Sequence, residues 1–99
     1  IAFKWWLYMN KQEKKQWLVS YIKKRQHVDI FDEFFVDLYI AECKPTNIKW
    51  RAYGAQYVPE LSRYLAELYK ENILKRYTIG LCYHQDGFPK WCYSYELNQ

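Results

Sequence analysis

Two cysteines and a histidine occur where two adjacent strands would bring them together. Cys82 and His84 are two residues apart, and alternation along a strand puts them on one face. Cys92 follows a turn and can lie opposite them on the partner strand. Zinc accepts such sulfur and nitrogen ligands, but a fourth ligand would have to come from elsewhere, such as Cys43. The alternative is two small, half-buried cysteines, and we expect neither a metal nor another cofactor.

The sequence lacks the other common catalytic arrangements. Its two histidines, His27 and His84, have no nearby nucleophile in a recognisable pattern. Three glycines are too few for a glycine-rich phosphate loop, and no pair of carboxylates is set for acid–base catalysis. We therefore do not expect an enzyme.

The composition is that of one small globular domain. The 99 residues are 51% hydrophobic and 21% aromatic, which excludes a disordered chain. The formal net charge of +4 favours a polyanionic partner. Three cysteines at irregular spacing favour a reducing cytoplasm over a disulfide-rich secreted scaffold. The longest apolar run is shorter than a membrane span, so we expect no membrane partner.

The first residues form an N-terminal extension, 1–9. The chain does not begin with methionine, and Met9 directly precedes a polar helix. We interpret Ile1–Tyr8 as upstream or artificially added sequence. The alternative is a short strand or arm that packs Trp5 and Trp6 on the core or on a second subunit.

Two long helices are predicted in the first half. Asn10 caps a basic helix, Lys11–Arg25, within residues 10–26. An acidic-faced core helix is predicted over 29–43, capped by Asp29 and stopped by Pro45. The lysines of the first helix face either solvent or phosphates. The apolar stripe of the first helix consists of Trp17, Leu18, Tyr21 and Ile22.

Two further helices are predicted over 47–72. Thr46 caps a short helix, Asn47–Tyr53, and Gly54 ends it in a left-handed conformation. Pro59 suits the first turn of the next helix, and Asn72 closes it.

A β-hairpin is predicted over 73–97, because apolar residues alternate with polar ones on both sides of a turn. We expect one face of this hairpin to cover the helices. That face would join Tyr77, Ile79, Leu81 and Tyr83 with Trp91, Tyr93, Tyr95 and Leu97.

The segment SRYLAELYKENIL, Ser62–Leu74, resembles the recognition-helix segment of winged-helix regulators related to the MarR and ArsR families. The resemblance covers about residues 47–98. It implies an α+β fold: a winged helix-turn-helix with an additional N-terminal helix and a C-terminal β-hairpin wing, forming a single domain over 10–98.

The resemblance also implies which residues contact DNA. The helix would present Gln56, Tyr57, Glu60, Ser62 and Arg63 to the major groove. The wing would be formed or flanked by Lys75, Arg76, His84, Gln85 and Lys90. Glu60 and Glu67 depart from a basic recognition helix. The alternative role for Arg63 is a salt bridge to one of these two acids.

The sequence thus favours a small DNA-binding transcription regulator of a phage or mobile element. It would read duplex DNA with helix 58–71 and wing 75–90, as a homodimer formed through the N-terminal helix. The alternative is a protein–protein interaction module, such as a phage-encoded modulator or inhibitor of a host protein, that uses a winged-helix scaffold.

Overall fold

The computed structural model describes residues 9–51, 54–81 and 89–98. These form an α+β fold, which confirms the predicted class. Helices alternate with short strands in the first two thirds, and a long hairpin follows. The elements are α1 (Lys11–Arg25), β1 (His27–Val28), α2 (Glu33–Cys43), β2 (Lys49–Trp50), β3 (Gln56–Tyr57), α3 (Pro59–Lys70), β4 (Leu74–Gly80) and β5 (Trp91–Leu97).

Helix α1 has the predicted bounds because its start is determined locally. The Asn10 side chain accepts a hydrogen bond from the Glu13 backbone N–H at 2.9 Å, and the Glu13 carboxylate accepts from the Asn10 N–H at 3.0 Å. This reciprocal pair is a capping box.

The apolar stripe of α1 packs on the protein's own core. Leu18 and Ile22 are fully buried. The Trp17 ring stacks on Tyr21 at 5.3 Å and lies 6.4 Å from Phe35, between ring centroids. The stripe is therefore not an exposed dimer surface, and the prediction of a homodimer through this helix loses the observation on which it was based.

Helix α2 begins later than predicted. Asp32, rather than Asp29, caps it and accepts from the Phe35 N–H at 3.3 Å. Asp29 instead accepts from the Phe31 N–H at 2.8 Å, which forms a turn ahead of the helix. The helix ends at Cys43, and the C-cap residue Lys44, whose φ is +48°, directly precedes Pro45.

The helix predicted over Asn47–Tyr53 is wrong. Lys49 and Trp50 form strand β2, which pairs antiparallel with β3 in the register Lys49 to Tyr57. Gly54, with φ +91°, lies in the connection and donates its N–H to the Arg51 carbonyl at 2.9 Å. The predicted helix-turn-helix over 47–72 thus lacks its first helix.

Helix α3 agrees with the prediction at both ends. Pro59 occupies its first turn, where the missing N–H costs nothing. Asn72 has φ +64°, and the Ile73 N–H reaches back to the Leu68 carbonyl at 3.0 Å. This left-handed closure directs the chain into β4.

The two strands of the hairpin have the predicted positions but a different register. β5 is central in the sheet, between β1 and β4. Tyr77 lies opposite Ser94 and Ile79 opposite Cys92. Directly paired residues share a face. Tyr77 and Ile79 are therefore on the other face from Trp91, Tyr93, Tyr95 and Leu97, and the predicted pairing of these two sets is wrong.

The face that packs on the helices carries Leu74 and Tyr95, both buried, with Val28 of β1 beside Tyr95. These three join the buried side chains of all three helices in one core. Within the part of the chain that the structure describes, no helix combines the length and apolar character needed to cross a membrane.

Candidate functional site

The acids of α3 are turned toward α1. Lys14 Nζ lies 2.7 Å from Glu60 Oε2, and both side chains are largely buried, at 9% and 13% exposure. The Tyr39 hydroxyl donates to the same carboxylate oxygen at 2.6 Å. Burial, followed by the adjacent Glu60 carboxylate, raises the pKa of Tyr39. Glu60 is largely buried and paired with Lys14 and Tyr39, which does not support its predicted contact with the major groove.

In the C-terminal half of α3, acidic side chains again pair with lysines of α1. Lys11 Nζ lies 2.8 Å from Glu67, and Lys15 Nζ lies 3.3 Å from Glu67 and 2.8 Å from Glu71. The hydrogen bond to Glu71 raises the pKa of Lys15. The hydrogen bond from Lys11 lowers the pKa of Glu67. These three α1 lysines therefore bind neither solvent alone nor phosphate, but the acids of a neighbouring helix.

The exposed side of α3, next to these acids, carries basic and aromatic side chains. Arg63, Tyr69 and Lys70 are all exposed. Arg63 does not bridge to Glu60 or Glu67, since both carboxylates are bound by α1 lysines. Its guanidinium lies over the Tyr64 ring at 5.2 Å.

Arg76 of β4 extends this face. Its guanidinium lies between two rings, 4.0 Å from the centroid of Tyr69 and 4.1 Å from that of Tyr93. Lys75 points to the other side of the sheet, where its Nζ lies 3.1 Å from Glu96. Of the two basic residues predicted to start the wing, only Arg76 lies beside α3.

A cleft of about 370 Å³ opens next to the N-terminal half of α3. Arg51 occupies one wall, with its guanidinium 4.6 Å from the Phe31 centroid and 4.4 Å from that of Tyr57. The Ser62 Oγ is buried and has no hydrogen-bond partner among the described residues. The lining residues are Ile30, Phe31, Arg51, Tyr57, Ser62, Pro89, Trp91, Cys92, Tyr93 and Tyr95.

Burial sets the chemistry of the cleft's titratable groups. It raises the pKa of the Cys92 thiol to about 11, so this cysteine is a neutral thiol rather than a nucleophilic thiolate at pH 7. Burial also raises the pKa of Tyr95. The cleft therefore offers aromatic surface, one guanidinium and hydroxyls, which suits binding rather than covalent chemistry.

The other predicted site residues are spread around this region. Tyr57 and Ser62 line the cleft, Gln56 is half-buried and Lys90 is exposed. His84 and Gln85 lie outside the described residues, as does Cys82 of the possible zinc site. Among the residues that are described, no three histidine, cysteine or acidic side chains are grouped for a metal ion.

Sequence reasoning missed Arg51, Tyr69, Tyr93 and Trp91 as parts of one surface. No local pattern marks them as one surface, because Arg51 and Arg76 find their ring partners in other segments of the chain. The abundance of aromatic residues, at 21%, was the available signal that some rings would remain at the surface.

Comparisons with protein-family models, with curated proteins and with solved structures yield no match.

Proposed function

We propose that this protein binds nucleic acid, with duplex DNA as the leading partner, through a surface that we call the basic face. The basic face consists of Arg63, Tyr69 and Lys70 on α3 and Arg76 on β4. The observation that carries the proposal is the pairing of Glu60 and Glu67 on α3, and of Glu71 directly after it, with α1 lysines, which offsets their negative charge beside Arg63 and Lys70.

The spacing of the basic face fits a polyanion. Arg63 and Lys70 are seven residues apart, so they lie two turns and about 10 Å from each other on one side of the helix. Arg76 adds a third positive charge, held in place by its two ring contacts. Lys and Arg contact phosphates, and an exposed helix can enter the major groove.

The order of a helix and then a β-hairpin also supports duplex DNA. In a winged helix the recognition helix is followed by the wing, and here α3 is followed by β4 and β5. The hairpin β2–β3 stands where the preceding helix of that motif would be. The protein would thus use a recognition helix and wing on a modified scaffold.

Fluorescence anisotropy with a labelled mixed-sequence duplex tests this proposal. Arg63→Ala with Lys70→Ala should weaken binding, and the slope of log affinity against log salt should fall by about 2, one unit for each lost phosphate contact. Lys23→Ala with Lys24→Ala is the matched control, because it removes two exposed charges from α1 instead. If both double variants lose affinity for the duplex equally, the effect is one of overall charge only. If the wild type does not bind the duplex at low salt, the proposal is refuted.

A protein partner is the second candidate, and a separate observation favours it. Trp50 on β2 is 69% exposed and Phe34 on α2 is 62% exposed. Large exposed apolar side chains mark interaction surfaces when they cluster. If duplex binding is absent, Trp50→Ser and Phe34→Ser become the variants to test for loss of a protein partner.

A further inference from the structure

We propose that the aromatic cleft binds one unpaired nucleotide of the nucleic acid, with the base among the rings and the phosphate at Arg51. This inference rests on the proposed function and names the form of nucleic acid that the site selects. It predicts that the protein prefers nucleic acid with an extruded or single-stranded nucleotide over fully paired duplex.

The dimensions and walls of the cleft suit one planar ring system. Its volume of about 370 Å³ is at the lower end of the range for ligand-binding pockets. Trp91 and Tyr93 meet edge to face, 5.1 Å apart, and Tyr93 and Tyr95 lie 6.2 Å apart. Unpaired bases bind proteins by stacking on such rings, since every base has a π-face.

The charge of the cleft selects an anion. Among the described lining residues, Arg51 is the one charged side chain and none carries a carboxylate. Phe31 and Tyr57 cover the Arg51 guanidinium at short distance, and no ion pair to it is found among the described residues. Ring contacts leave the positive charge in place, and the fork of N–H donors on a guanidinium matches the oxygens of a phosphate.

Ser62 supplies a hydrogen-bonding group inside an otherwise aromatic wall. Its buried Oγ lacks a partner in the part of the chain that is described, and an unsatisfied buried hydroxyl costs free energy. A hydroxyl both donates and accepts, so it can bind either kind of group on a base edge. A bound base would therefore satisfy a group that the protein leaves unpaired.

The cleft is continuous with the basic face. Ser62 in the cleft directly precedes Arg63, and Tyr93 both lines the cleft and contacts the Arg76 guanidinium. A backbone that follows the basic face thus passes the mouth of the cleft. A nucleotide turned out of that backbone would enter it without a second binding surface.

Two duplexes of the same sequence test the inference, one fully paired and one with a single bulged adenosine. Anisotropy should show the wild type binding the bulged duplex about tenfold more tightly, the scale of one base stacked on aromatic side chains. Ser62→Ala and Arg51→Lys should each reduce this preference. Arg63→Ala with Lys70→Ala should weaken both duplexes and leave the preference in place.

Each outcome has a distinct meaning. If the wild type binds the two duplexes with equal affinity, the inference is overturned and the proposed function stands. The same conclusion follows if the wild type prefers the bulged duplex but neither Ser62→Ala nor Arg51→Lys reduces that preference. Binding of neither duplex would refute the proposed function. In that case NMR titration with adenosine monophosphate decides the inference: shifts at Trp91 and Tyr93 support a nucleotide site. No shift, or shifts only with N-acetyltryptophanamide, would overturn it in favour of an aromatic peptide.

Discussion

Two arginines in this protein are held by aromatic rings rather than by carboxylates. Arg51 and Arg76 each contact two ring centroids within 4.6 Å. A guanidinium is weakly hydrated and planar, so it stacks well while keeping its charge. Among the described residues neither forms an ion pair with an acid, and the rings that position their charge themselves belong to the candidate binding surface.

At the scale of single residues, Ser62→Ala should stabilise the free protein. The variant removes a buried hydroxyl without a partner, and the free energy of unfolding should rise by about 1 kcal/mol. Urea denaturation measures the change. Ser20→Ala, at an exposed position of α1, is the control for the gain in helix propensity alone. A Ser62→Ala variant less stable than wild type would show that the hydroxyl has a structural role.

At the scale of elements, the contact between α1 and α3 should make stability depend on pH. The pKa of Glu67 is lowered in the folded state, so its contribution is present above its ordinary value of 4.5 and is lost as pH falls through the lowered value. The pKa of Lys15 is raised, so its contribution is present below 10.5 and is lost as pH rises through the raised value.

Thermal unfolding from neutral to acid pH tests this dependence. Glu67→Gln should lower the melting temperature at pH 7 and should make it fall less steeply toward acid than in the wild type. The matched control is Asp37→Asn, which also removes one carboxylate, at an exposed position on α2. Parallel curves for wild type and Glu67→Gln would contradict the role assigned to this ion pair.

The elements that could be predicted are those whose signals are local. The capping box at Asn10, Pro59 at the start of α3 and Asn72 at its end determine boundaries within a few residues. Strand β2 was missed because Thr46 gives a local helix-start signal, whereas the strand depends on pairing with Gln56 and Tyr57. Tertiary pairing overrides local preference in such short segments.

The candidate site was less predictable than the fold for the same reason. The position of Glu60 on α3 was evident, but its partners Lys14 and Tyr39 come from two other helices. The register of the hairpin decides which aromatic residues share a face, and alternation alone does not determine it. Arg51 could not be selected because its two ring partners, Phe31 and Tyr57, are not its neighbours in sequence.

At the scale of the whole molecule, Trp17 should contribute to folding rather than to association. Its ring contacts Tyr21, Phe35 and Tyr39, and its Nε1 donates to Glu42 at 2.9 Å. Trp17→Ala should therefore lower the free energy of unfolding by about 3 kcal/mol, the usual cost of truncating a packed aromatic side chain.

Light scattering should give the same mass for wild type and for Trp17→Ala wherever both are folded. Trp50→Ala is the control, since it truncates the same residue type at a position 69% exposed. A wild-type dimer that becomes a folded monomer on Trp17→Ala would contradict this prediction and restore the N-terminal helix as an interface.

The central position of β5 in the sheet has a consequence for how the chain acquires its fold during synthesis. Val28 of β1 pairs with Tyr95, and α1 also contacts β5, so the N-terminal part of the domain is completed by its last strand. The hairpin β4–β5 closes a short loop, whereas β1 must wait until β5 has left the ribosome. Until then the side of α1 that contacts β5 is uncovered, which makes the nascent chain a natural client for chaperones.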